Sequence, residues 1–396
     1  MKRKLLFIGL LIVSVSVLVL IYSLNKSNQE NNRIVVNSME EFQPTKKGKE
    51  SQYLLFYPAD KRNSQDYTFV REVSKTGEIV KEYEIRDDTF RRMSVHQKPN
   101  ELNKLYISFF GEAVIENWYY TYDIEQGTFK KVDLDYFNFD VGVDHIKHYG
   151  SNVLFQSMVS YKTGDQNTNK NNDFNMSITN DTTKNSYETE YGRAPNWTPL
   201  LQFEDKIIYA GSGQVNDEGI ADNNFVGLID SKNKKANYMN FNKGLTEFYP
   251  IYATSKNAFI MNDEGKLFVL DRKLSYKTYE IFKDLPQQDK YYDVEGSLLL
   301  NEETALYSIY NEKSGVSLGV LSFKDTPSFT VLDENYINKK MTYRILYQNT
   351  KEKEIYMIES DGNGKGNLLV VDTQTFNLIN KIPIEEDHLL DFVVKL

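Results

Sequence analysis

The sequence predicts an all-β domain of seven repeated four-stranded units, preceded by one N-terminal transmembrane helix. Three observations carry this: an uncharged run of twenty residues near the N-terminus, a chain rich in aromatic residues, and similar hairpins recurring about every 50 residues.

The N-terminal element comes first. "MKRK" leads into Leu5–Leu24, twenty residues without a charge. At about 1.5 Å per residue such a helix spans a hydrocarbon core of roughly 30 Å. Lys2, Arg3 and Lys4 stay on the cytoplasmic side, which places the chain beyond Leu24 outside. A cleaved signal peptide has an apolar region of about 7–15 residues and a small-x-small site. The longer run, with no A-x-A after it, reads instead as an uncleaved anchor. Expected localisation is therefore the cell membrane, single-pass, with the C-terminal domain extracytoplasmic.

The chain contains no cysteine, which excludes lipid attachment at that residue and any disulfide. With Lys2, Arg3 and Lys4 set aside, 44 basic residues face 56 acidic ones, a net of −12. A nucleic-acid footprint needs a basic face, so that partner is excluded from the reading. Absence of Cys, abundance of Lys, Asn and Tyr, and the short basic leader resemble the exported proteins of low-GC Gram-positive bacteria.

Residues 25–51 are polar and low in aromatics, and are expected to form a stalk. One apolar island, Ile34–Val36, could instead be an edge strand. From residue 52 onward, hairpins recur. The ends of the third-strand-like runs fall at Ser74, Asp123, Asn180, Asp230, Asp271, Ser322 and Asp372, spaced 49, 57, 50, 41, 51 and 50 residues apart. Each period holds four short apolar runs with polar turns. In the fifth, "FYPIYATS", "NAFIMND", "GKLFVLD" and "YKTYEIF" succeed one another.

Four strands per unit is a propeller blade. The blades are expected at roughly 52–85, 90–134, 143–190, 198–242, 248–282, 292–334 and 341–384. The first lacks a clear first strand, and residues 388–396 supply a spare one that can close the ring. Pro199, Pro250 and Pro383 fall in first or fourth strands, where a missing N–H is tolerated. Two β-sandwiches would not give seven similar periods without a linker. On period and hairpin pattern, residues 52–396 resemble the broad YVTN-like, kelch-like and quinoprotein-like seven-bladed β-propeller class.

No motif announces catalysis. There is no sialidase-type turn, no G-x-S-x-G and no H-E-x-x-H, and the only tryptophans are Trp118 and Trp197. No cofactor and no metal site is expected. His145 and His148 would face opposite sides of a strand. "SDGNGKGN" (Ser360–Asn367) lacks the acidic ligands of a calcium loop, and Asp217, Glu218 and Asp222 sit in a polar insertion.

The better hint lies in the segments that link each fourth strand to the next first strand, because rigid scaffolds place function on loops. They supply Phe90, Arg92, Phe137, Asp140, Arg193, Trp197, Glu247, Phe248, Tyr292, Asp293 and Tyr336. Aromatic anchors amid sparse charges suit a protein, peptide or carbohydrate ligand; equally, such rings can pack the blade tops. The expected function is a membrane-anchored binding or sensing module. An exported enzyme of hydrolase, lactonase or cyclotransferase type, and a cell-envelope assembly factor, are the alternatives.

Overall fold

The computed structural model describes residues 33–44, 51–59, 65–86, 92–98, 101–110, 117–138, 140–146, 152–157, 177–188, 200–212, 224–233, 235–239, 247–283, 285, 293–311, 315–362, 365–385 and 390–396. The expected Leu5–Leu24 span lies outside them. Among the described residues no helix is long and apolar enough to cross a membrane.

Seven sheets, antiparallel but for one outer strand of the first, succeed one another along the chain as the blades of a β-propeller. Blades two to seven are four-stranded meanders beginning at Arg92, Val143, Leu201, Phe248, Asp293 and Thr342. First strands of neighbouring blades approach one another, so the first strand is innermost. Second and third strands are packed on both faces and read as nearly unbroken apolar runs, such as Asn224–Asp230 ("NFVGLID"). Fourth strands alternate, as in Thr128–Asp133 ("TFKKVD"), because one face meets solvent.

The core is accordingly a series of layers between blades. One layer joins blades seven, one and two around Phe56, Tyr122, Tyr347 and Phe392. Others join blades two to four, four to five, five to six, and six to seven.

Blade one differs from the rest. From inside outward its strands are Phe392–Lys395, Tyr53–Tyr57, Thr68–Val73, Ile79–Ile85 and Ile34–Val36. The last strand of the chain thus supplies the innermost strand of the first blade, with Tyr53 opposite Lys395 and Phe56 opposite Phe392. Sharing one sheet between the two ends of the domain closes the ring and removes a free inner edge.

The stalk expected over residues 25–51 needs correction within 33–44. Ile34–Val36 pairs in parallel with Tyr83–Ile85 as a fifth, outer strand. Met39 and Phe42 are buried, and the Phe42 ring packs 5.0 Å from Tyr83 and 5.8 Å from Phe56. Arg33 pairs with Glu82, which also takes Arg71 at 2.9 Å. Burying two large apolar side chains and pairing an outer edge outweighs the polar composition that suggested a free linker.

Every period marker from the sequence caps a turn between third and fourth strands. Oδ1 of Asp123, Asp230, Asp271 and Asp372 each accepts two backbone N–H bonds at 2.7–2.9 Å. Asn180 Oδ1 accepts Thr183 N–H, and the hydroxyls of Ser74 and Ser322 accept similar bonds. Short polar side chains that bond the backbone two or three residues on are turn formers. The repeat is therefore structural in origin.

Candidate functional site

Antiparallel pairing gives each blade two ends. Phe248 opposite Asn262 and Lys266 opposite Glu280 put the 2–3 turn beside the entry to strand one and the exit of strand four. That end is named the mouth, and the opposite end, with the 1–2 and 3–4 turns, the foot.

The expected site lies at the mouth. Phe90, Arg193, Trp197 and Tyr292 lie outside the described residues, as do His148, Asp217, Glu218 and Asp222. Arg92 and Asp293 are the first residues of their blades' inner strands. The remaining candidates occupy three separate blade junctions. Phe248 is 1 % exposed and packs on Phe268 in the layer between blades four and five. Phe137 is half-buried against the layer between blades two to four, 4.5 Å from the ring of Tyr136. Tyr336 is half-buried and donates its hydroxyl to Phe376 O at 2.8 Å.

These linker aromatics tie one blade to the turn of the next. Tyr136, beside Phe137, repeats the arrangement: it donates to Asp181 Oδ1 at 3.0 Å, while Tyr119 donates to Oδ2 at 2.9 Å. Lys184 completes the cluster at 2.6 Å from Oδ1. Burial, and then the Asp181 charge, hold both tyrosine hydroxyls well above their ordinary pKa, so they act as fixed donors.

At the blade-five mouth two acidic residues are neighbours through the backbone. Asp263 N donates to Glu247 O at 3.2 Å, and the exposed Glu247 carboxylate takes Tyr249 OH at 2.7 Å. Asp263 is 9 % exposed, and its Oδ1 is buried with no hydrogen-bond partner among the described residues. Burial pushes its pKa up to about 7, and the charges of Glu247 and Glu264 add to the rise. The turn that holds it is tight: Gly265 has φ +79°, and a Cβ there would lie 2.6 Å from Phe282. Among the described residues no group of three or more acidic, His or Cys side chains is placed to hold a metal ion.

The foot carries a cleft of ≈ 830 Å³. Four segments far apart in sequence build it. Met39–Pro44 forms one wall, and the 3–4 hairpin of blade two (Tyr122–Phe129) forms a second. The 1–2 turn of blade seven (Asn349, Lys351, Glu352) and the closing strand's Lys395 and Leu396 complete it. Its floor is apolar, with the rings of Tyr122 and Phe129 4.8 Å apart. Glu40, Glu125, Lys351 and Glu352 stand exposed at the rim. Lys395 lies between Glu354 at 2.8 Å and Glu352 at 3.1 Å.

No family model matches the chain, and no curated protein matches it in sequence. Solved structures do. One comes from a structural and mechanistic study of two prolyl endopeptidases, at 10% identity and TM-score 0.45, covering 85% of this chain and 50% of that one. This chain thus spans half of that protein's length. Another is apo AztD from Citrobacter koseri, at 9% identity and TM-score 0.42, covering 87% and 98%. A third is TolB from Acinetobacter baumannii, at 11% identity and TM-score 0.39, covering 88% and 67%. None of these likenesses bears on activity.

The cleft escaped sequence reasoning because each of its walls is an ordinary hairpin or turn in its own repeat. Only the closure of blade one brings blades two and seven together at the foot. The one local sign is Ile124, an apolar residue in the otherwise polar turn "DIEQG".

Proposed function

We propose that this chain is a membrane-anchored, extracytoplasmic β-propeller that works as a ligand- or protein-binding module, with the ligand held in the foot cleft. The cleft carries the reading. Its ≈ 830 Å³ lies in the range of small-ligand sites, and it joins an aromatic floor to a charged rim. The uncharged Leu5–Leu24 run behind a basic tip supports the anchor.

Absence of native cysteine makes the topology easy to test. Lys273→Cys places one thiol at an exposed turn. Labelling in intact cells by a membrane-impermeant maleimide is expected. Labelling only after lysis overturns the extracytoplasmic placement. Exchange of Leu5–Leu24 for an unrelated span should leave binding intact; loss of function on that exchange would favour an assembly role.

One observation favours the enzyme reading. Asp263 is a buried carboxyl near neutrality beside Glu247, the setting in which general acids and bases operate. A hydrolytic activity that Asp263→Asn abolishes, with the fold retained, would establish it over the binding reading.

A further inference from the structure

We infer that the foot cleft takes a short basic peptide segment bearing an apolar side chain, an inference that rests on the binding reading above and names its ligand.

Phe129 and Tyr122 are backed by Phe392 of the closing strand, at 6.3 and 6.1 Å. Ile124 and Leu396 also line the cleft. Such a surface is held in place from beneath, so burying an apolar side chain on it costs no rearrangement of the receptor.

Charge chooses the rest of the ligand. Glu40 and Glu125 are exposed and make no ion pair among the described residues. Of the two lysines in the lining, Lys395 is already held by Glu352 and Glu354. That leaves Lys351 in a lining that also carries Glu40 and Glu125, neither of which is ion-paired among the described residues, on a chain whose formal net charge is −9. The local and overall fields have the same sign and favour a cation at the rim. A cationic side chain lying over the face of Phe129 gains further from the ring quadrupole.

Polar neighbours favour a peptide over a lone organic cation. Gln43 and Gln126 are exposed and line the cleft from two different segments. A side-chain amide offers both a donor and an acceptor, which matches a peptide backbone. An acidic peptide meets Glu40 and Glu125 instead, and is rejected.

The test uses full-length protein and calorimetric titration with three probes: Lys-Phe-Lys, Glu-Phe-Glu and argininamide. Lys-Phe-Lys is expected to bind saturably, at least tenfold tighter than either of the others. Glu40→Lys combined with Glu125→Lys should cancel or reverse that preference. Glu-Phe-Glu binding as well as Lys-Phe-Lys would overturn the basic class, and argininamide binding as well would overturn the peptide. Phe129→Ala should abolish binding, and Gln126→Trp, which fills the cleft from an exposed turn, should do the same without touching the core. The second variant decides if the first does not fold. No binding of Lys-Phe-Lys overturns the inference. Binding of any probe that survives Gln126→Trp overturns the cleft itself, and with it the functional reading.

Discussion

Arg344 in the first strand of blade seven donates at 2.6 Å to Asp391, the residue that leads into the closing strand, across a gap of 47 residues. Arg344 also donates to Leu390 O, and the second Asp391 oxygen accepts Met93 N–H of blade two at 3.0 Å. One buried carboxylate therefore joins blades seven, one and two at the mouth side of the seam. At the foot side Lys395 grips Glu352 and Glu354, and Gln97 of blade two exchanges two hydrogen bonds with the Gln348 backbone of blade seven, at 2.8 and 3.0 Å.

Removing Arg344 takes the guanidinium at 2.6 Å away from the Asp391 side chain, which has no solvent exposure. Stranding a buried charge costs about 3–5 kcal/mol, whereas neutralising both partners costs less. Arg344→Ala is therefore expected to lower the urea midpoint strongly. Adding Asp391→Asn to it should recover part of the loss. A double variant no more stable than Arg344→Ala alone would deny the pairing.

Asp263 makes stability depend on pH in the less common direction. Its folded pKa of about 7 lies above the unfolded value of about 3.9, so the folded chain holds the extra proton between them. The contribution is present below about pH 4 and is lost as pH rises through 7, on the order of 4 kcal/mol at most. Asp263→Asn removes that slope, so the variant should gain on the wild type between pH 5 and pH 8. Parallel stability curves over that interval would contradict the assignment.

Gly265 cannot carry a side chain. Its φ of +79° and the 2.6 Å approach to Phe282 both oppose a Cβ. Gly265→Ala should cost about 1–3 kcal/mol in chemical denaturation, because the Phe282 ring is held by Phe329 at 5.0 Å. An unchanged midpoint would show that the turn relaxes freely.

Asp271 and Asp372 are turn formers that do not line the foot cleft. Asp271→Ala and Asp372→Ala should each cost about 1 kcal/mol, the ordinary worth of such bonds. Lys-Phe-Lys affinity should not change in either. A loss of affinity at Asp271 or Asp372 would return the repeat to the functional account.

Much of the ring could be read in the chain. Asp230, Asp271 and Asp372 mark strand ends because the turn chemistry is local, and local chemistry recurs wherever the turn recurs. Pro250, beside a bulge, and Pro383, in a fourth strand, lie at positions the ladder tolerates. The docking of residues 33–44 was harder to see, since Phe42 finds Phe56 and Tyr83 only after blade one has formed. The candidate site was less legible still. The mouth aromatics were legible as a recurring pattern, but Phe137, Phe248 and Tyr336 proved to be occupied by packing between blades. The cleft depends on Phe129 meeting Phe392 across 263 positions, a contact no window of sequence contains.

Ligand binding is expected at the foot of the closing seam and not at the mouth. Hydrogen–deuterium exchange of the full-length protein, with and without saturating Lys-Phe-Lys, tests it most directly. Slowed exchange is predicted at residues 122–129, 349–352 and 392–396, with none at 247–249, 262–266 and 336–340. Protection at the mouth segments, with the foot unchanged, would contradict the account.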